Sequence, residues 1–231
     1  MSSFIRILLV LFPFYGFAQQ QSTYLQTVKL ELKKEWPNNR TINLVFHGHS
    51  VPTGYFRTPL IKTFDSYPFL LLRSIKDQYP TASVNAIRTS IGGENSEQGA
   101  KRFVKEVLCH RPDVLFIDYA LNDRSIGLER SRKAMEQMIK QALKKQIKVI
   151  LLTPSPDIQT NILDESNPLE QLSKQIRQLA DQYQVGLVDV YARFKAIAQQ
   201  GGELKDYMAQ SNHPNEKGHQ VIANEIMNYF N

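Results

Sequence analysis

Phe46-His47-Gly48-His49-Ser50, entered from the apolar run Ile42 to Val45, is the stretch from which the rest of the chain can be read. β-Branched and aromatic residues that end on Gly-x-Ser, followed by Val51-Pro52-Thr53-Gly54, predict a first strand running into a tight turn. That turn would present Ser50 as a nucleophile. A serine hydroxyl is a poor nucleophile until a base takes its proton. The far end of the chain offers such a base in Asn212-His213-Pro214-Asn215, because an imidazole titrates near neutral pH.

Working outward, the same reading gives a second strand over residues 83–87 and continuous apolar runs over 114–117 and 149–152. A fifth strand spans 186–190. Uninterrupted apolar runs of this kind suit strands buried on both faces of a parallel sheet. Between them lie helical patterns. Ser66, with Pro68 in the first turn, opens a helix that Pro80 ends. A second helix covers about 97–108. Leu128, Met135, Met138, Ile139 and Leu143 define a third. Asn167-Pro168 opens a fourth with Leu169, Leu172, Ile176, Leu179 and Tyr183 as one stripe. A short helix to about 199 and a last one over 215–230 complete the pattern. Strands alternating with helices of ten or more residues mean βαβ units and one five-stranded parallel sheet, with helices on both faces. Ligands in such folds sit outside the carboxyl ends of the strands. Ser50, Gly92-Gly93, Asn122 and Asp157 each follow a strand and would share one rim.

The chain of 231 residues, 42% hydrophobic and 22% charged, is sized and composed for one well-packed domain. Arg6, the apolar run 7–15 and small residues before position 19 predict a signal peptide over 1–18, cleaved after Ala18, and hence an exported protein. The apolar run is too short to span a bilayer, so no stable membrane insertion is expected after cleavage. Residues 19–40 are read as a helical lead-in, with Leu25, Val28, Leu30 and Leu32 on its stripe, and 41–231 as the catalytic domain. The net charge of +6 is scattered along helix faces. Nucleic-acid binding would need a concentrated basic patch with aromatics between, and there is none. The single cysteine, Cys109, excludes an internal disulfide and is read as a buried, inert thiol.

The serine, glycine, asparagine and histidine just named resemble those of the SGNH (GDSL-type) hydrolases in order and context. They are Ser50 in Gly48-His49-Ser50, Gly93 in Gly92-Gly93-Glu94 and Asn122 in Ala120-Leu121-Asn122-Asp123. His213 stands in His213-Pro214-Asn215-Glu216-Lys217-Gly218-His219. The resemblance runs from residue 41 to the C-terminus. It implies a flavodoxin-like three-layer α/β/α fold and serine-dependent hydrolysis of acetyl or short acyl esters on carbohydrates or lipids, without a cofactor. The catalytic set would be Ser50, Gly93, Asn122 and His213, with the oxyanion held by the N–H groups of Ser50 and Gly93 and the Asn122 amide. Three positions depart from the pattern. The family's Gly-Asp-Ser is Gly48-His49-Ser50, the glycine two before the asparagine is Ala120, and the acid three before the histidine is Gln210. That acid normally fixes the tautomer of the base. Here a backbone carbonyl, Gln210 or Asp206 must take its place, and a Ser-His dyad with a carbonyl is the favoured reading.

His219 is expected to be structural, and Asp118 and Asp189 to hold loops at strand ends. The partner is expected to be a small-molecule or glycan ester. Its binding wall would be the loop over 51–65, with Tyr55, Phe56 and Arg57, together with Glu94, Asn95, Arg124 and the 154–158 turn. Two rival readings stand beside this one. The H-x-H of His47 and His49, with Asp118 or His213, could ligate zinc for water activation. Loss of the acid at position 210 could instead leave a carbohydrate- or lipid-binding relative without turnover.

Overall fold

The computed structural model describes residues 23–231, so the expected signal peptide lies outside the described residues. Five parallel strands form the central sheet: β1 (Thr41–Gly48), β2 (Ser83–Arg88), β3 (Val114–Asp118), β4 (Lys148–Leu152) and β5 (Gly186–Val188), in the order β2-β1-β3-β4-β5. The predicted parallel sheet is therefore present, and the apolar runs explain it. Every residue of β3 is buried, and Phe46 of β1 stacks on its register partner Phe116 at 4.5 Å between ring centroids.

Helix α1 (Gln26–Leu32) precedes β1, and Leu25, Val28 and Leu32 join the same core as the sheet. Leu30, read as part of that stripe, is instead 53% exposed. It falls on the side of the helix turned from the core. The Tyr24 hydroxyl ties the lead-in to β4 by donating to the Val149 carbonyl and accepting from the Val149 N–H. One helical turn, α2 (Ser50–Thr53), follows β1. Next come α3 (Tyr67–Gln78), α4 (Ser96–Glu106), α5 (Gly127–Leu143), α6 (Pro168–Tyr183) and α7 (Val190–Gln199). A two-stranded antiparallel hairpin, β6 (Met208–Gln210) with β7 (His213–Pro214), leads into the last helix, α8 (Glu216–Met227).

The chain steps one way from β1 to β2 and the other way from β2 to β3. Right-handed crossovers then place α3 and α4 on opposite faces. Helix α8 packs on α3, whereas α5 packs on α4 and α6 on α5, which completes the three layers. The reversal between β1 and β3 opens a crevice at their carboxyl ends, and the residues after these two strands are Ser50 and Asn122. Several helix starts follow from caps legible in the chain. Asn95 and Gln98 form a capping box on α4, and the Asn167 and Asn215 side chains accept from Leu169 N and Gly218 N.

Three local expectations are corrected. Cys109 is exposed: Val107 and Leu108 fill the core, and a 3-10 turn over Leu108–His110 then carries the thiol outward. β5 stops at Val188, because Asp189 caps α7 by accepting from Ala192 N. Ser66 sits at the start of α3, but its hydroxyl donates back to the Thr63 carbonyl instead of capping the helix.

The crevice is tight where β1 ends. Gly48 pairs in register with Asp118, and a Cβ on residue 48 would lie 2.3 Å from the Asp118 carbonyl oxygen and 2.9 Å from Pro52 Cγ. Backbone cannot yield as a flexible side chain does. Gly48→Ala is therefore expected to destabilise by about 2–3 kcal/mol, a drop of roughly 5–10 °C in Tm for a domain of this size. A thermal melt checks it, and a Tm within a degree of wild type would mean the strands are free to part.

Candidate active site

Ser50 is the first residue of α2, at the end of β1. Its backbone is set by His49, whose Nδ1 accepts from Val51 N at 3.2 Å and so caps the short helix. His49 Nε2 stands 3.3 Å from Asp118 Oδ1, off the line of a hydrogen bond, while Asp118 Oδ2 accepts from the buried Tyr67 hydroxyl. Histidine thus serves here the capping use that a carboxylate would have.

Ser50 Oγ lies 2.9 Å from His213 Nε2, and His213 Nδ1 lies 3.0 Å from the Phe56 carbonyl oxygen. A carbonyl can only accept, so Nδ1 carries the proton. Nε2 is left with its lone pair toward the serine, which is the tautomer a general base needs. Burial pushes the His213 pKa below its ordinary value, and the Phe56 carbonyl offsets part of that shift. The ring is a neutral base at pH 7.

Of the three candidates for orienting His213, the backbone carbonyl holds the position. Gln210 Oε1 accepts from Thr58 N at 3.0 Å, away from the ring. Asp206 is exposed, and among the described residues no hydrogen bond joins its carboxylate to His213. Phe56 is held by its own loop, through Phe56 N on the Leu60 carbonyl and Lys62 N on the Gly54 carbonyl. Its ring stacks on His219 at 5.1 Å. His219 is fully buried and accepts from Tyr67 N, as expected of a structural residue.

Gly93 has φ +80°, a left-handed conformation that favours glycine. The N–H groups of Ser50 and Gly93 donate to nothing among the described residues. Asn122 stands at the start of a 3-10 turn after β3 and donates one Nδ2 hydrogen to the Glu94 carbonyl at 3.0 Å. Its second amide hydrogen is left over. Asp123 is buried, accepts from Ser96 N and from Ser131 Oγ, and so ties this turn to the start of α4; burial raises its pKa.

The expected walls are largely redrawn. Phe56 is only 3% exposed, and Glu94 is buried in an ion pair with Arg102. Asn95 is spent on the helix cap, and residues 154–157 are buried. Arg124 is exposed but paired with Asp157 at 2.9 Å. Tyr55 remains at the site, half-buried, 6.0 Å from the His213 ring and packed against Gly92. Arg57 and Ile158 stay exposed.

The zinc reading fails on its donor set. His47 is fully buried among Thr89, Gly99 and Tyr119, whereas His49 faces Val51 and Asp118. The two imidazoles share no partner, and among the described residues no three His, Cys, Asp or Glu side chains converge on a metal position. Burial and the charge of Arg102 lower His47 to a pKa of about 3, so it is neutral.

The sequence matches the family model of the GDSL-like lipases/acylhydrolases over residues 46–221. No curated protein matches it significantly. Among solved structures, it is similar to a two-domain esterase (CEX) active on acetylated mannans, with 21% identity and a TM-score of 0.74. That match covers 90% of this chain and 52% of the other, so the chain spans about half the length of that esterase. The acetylxylan esterase Axe2 from Geobacillus stearothermophilus has 18% identity and a TM-score of 0.71 over 82% of this chain and 94% of its own. A putative GDSL-like lipase from Parabacteroides merdae has 17% identity and a TM-score of 0.69 over 82% and 95%.

Proposed function

The chain belongs to the GDSL-like lipase/acylhydrolase family and is a carboxylic ester hydrolase; on that premise we propose that it is an exported serine esterase that removes acetyl or other short acyl groups from a carbohydrate. The observation that carries the mechanism is the line Ser50 Oγ, His213 Nε2, His213 Nδ1, Phe56 carbonyl. Ser50 attacks the ester carbonyl as His213 Nε2 takes its proton. The negative oxygen of the tetrahedral intermediate is met by the N–H groups of Ser50 and Gly93 and the second amide hydrogen of Asn122, each worth about 3 kcal/mol in a preorganised site. His213 then gives the proton to the departing sugar hydroxyl. Water, deprotonated by the same nitrogen, releases the acid and restores Ser50.

Support for a glycan ester comes from CEX and Axe2, which are described as acting on acetylated mannans and acetylxylan, and from a CEX structure with mannopentaose. Structures described as catalytic mutants of Axe2 replace a serine or a histidine by alanine, in keeping with a Ser-His mechanism here. The Arg6-led apolar start supports export.

The test is release of acetate from acetylated manno- and xylo-oligosaccharides, and of p-nitrophenol from its acetate, by the protein from Gln19 onward with Ser50→Ala beside it. The expected loss in the variant is at least about 10³-fold. Equal turnover by Ser50→Ala would remove the serine mechanism, and hydrolysis of the aryl ester alone would remove the glycan. Recovery of the protein outside the cytoplasm with its N-terminus at Gln19 checks export.

A further inference from the structure

Gly93 has no side chain to fix it, and nothing lies within 4 Å of where its Cβ would be. The direction of its N–H is therefore set by the residues on either side. On one side Ile91 N donates to the Gly48 carbonyl at 3.0 Å. On the other side Glu94 turns its carboxylate inward. Arg102 of α4 grips both carboxylate oxygens, with Nε to Oε1 at 2.7 Å and Nη2 to Oε2, and the Tyr119 hydroxyl donates to Oε2 at 2.6 Å.

The clamp is itself anchored on three elements. Arg102 Nη2 also donates to the Thr89 carbonyl just after β2. Tyr119 follows β3 directly and packs so closely on α4 that a Cβ at Gly99 would lie 2.2 Å from its hydroxyl oxygen. His47 Nε2 stands 3.1 Å from the same hydroxyl, on β1. Glu94 is 8% exposed and Tyr119 is fully buried. A buried carboxylate needs a partner, and Arg102 supplies it. The backbone carbonyl of Glu94 also receives the Asn122 amide. One clamped residue thus orients two of the three oxyanion donors.

We propose that Glu94, held by Arg102 and Tyr119, is the positioning residue of the oxyanion turn, keeping Gly93 N–H and the Asn122 amide aimed at the point where charge develops. This rests on the reading of those two groups as oxyanion donors. The cluster touches neither Ser50 nor His213, so its effect is on donor geometry and not on the base.

Tyr119→Phe, which removes one hydroxyl and keeps the ring against Gly99, and Glu94→Gln, which keeps the shape and weakens the clamp, are the variants to make. Each is expected to lower kcat by about ten- to a hundredfold, with KM within about twofold of wild type. The acidic limb of the pH profile should stay in place, because His213 is untouched. Labelling of Ser50 by a fluorophosphonate should slow in parallel, since that probe needs the serine and the donors but no matched ester. A fall in Tm with unchanged kcat and labelling rate would overturn the inference, reducing the cluster to a fold element. So would a shift of the acidic limb that accounts for the lost activity. If wild type labels readily but hydrolyses no glycan ester, the proposed substrate fails while the labelling comparison still decides the positioning role. A wild-type Ser50 that does not label removes both.

Discussion

His213→Ala is expected to lower kcat by on the order of 10⁴ or more, while Gln210→Ala and Asp206→Ala each leave it within about threefold of wild type. The contrast follows from where the imidazole is held. In the usual triad a carboxylate fixes the ring and steadies the imidazolium. Here a main-chain oxygen, that of Phe56, does the fixing at 3.0 Å. It cannot be mutated away, and it carries no full charge. Burial lowers the His213 pKa and a carbonyl offsets that only in part. The neutral ring is the active base, so activity is present above its pKa and is lost as pH falls through it. The acidic limb of kcat/KM should lie below pH 6.5, the ordinary histidine value. A limb above 6.5, or a Gln210→Ala or Asp206→Ala variant as damaged as His213→Ala, would mean that a side chain and not the Phe56 carbonyl completes the site.

Acid should destabilise the protein through two buried imidazoles. His47 and His219 are fully buried, and burial is the first cause that lowers each to a pKa of about 3; the charge of Arg102 acts the same way on His47, and His213, once protonated in acid, does so on His219. The unfolded chain binds a proton on each near pH 6.5, whereas the folded one does not until about pH 3. Stability is therefore whole above 6.5 and declines as pH falls from there toward 3, by about 1.4 kcal/mol per pH unit for each histidine. At pH 4 the two together remove about 7 kcal/mol, comparable with the whole stability of an ordinary domain. Geometry supports the sign. His219 Nδ1 accepts from Tyr67 N, and a proton there would break that bond at the start of α3. Denaturant titrations between pH 7.5 and 4.5 read the slope, and His219→Asn should flatten it by about 1.4 kcal/mol per unit at the cost of some stability at pH 7. A midpoint that does not move over that interval would show that these rings reach water or a proton partner in the folded state.

The sequence by itself determined what periodicity and local chemistry control. Continuous apolar runs made β3 and β4, and alternation of such runs with helical stripes made the parallel sheet. Asn167-Pro168 and Asn215 fixed their helix starts, because a cap acts within one turn. Ser50, Gly93, Asn122 and His213 stood out as side-chain types in a recognisable order. What the tertiary structure alone decided depends on contacts between residues far apart in the chain. Phe56, read as a wall, turned its ring inward onto His219 and offered its carbonyl to His213, 157 positions away. A main-chain oxygen has no signature in a sequence, since every residue has one. Glu94 and Asn95 looked like binding residues by type, yet Arg102 and the α4 cap claimed them. His47 and His49, two apart in the chain, parted because the strand ends at Gly48 and the turn after it rotates the second ring toward Asp118. Local pattern sets which elements form and where they stop. Which polar groups are left free for chemistry is decided only when the elements pack, because burial drives most polar groups to find a partner first.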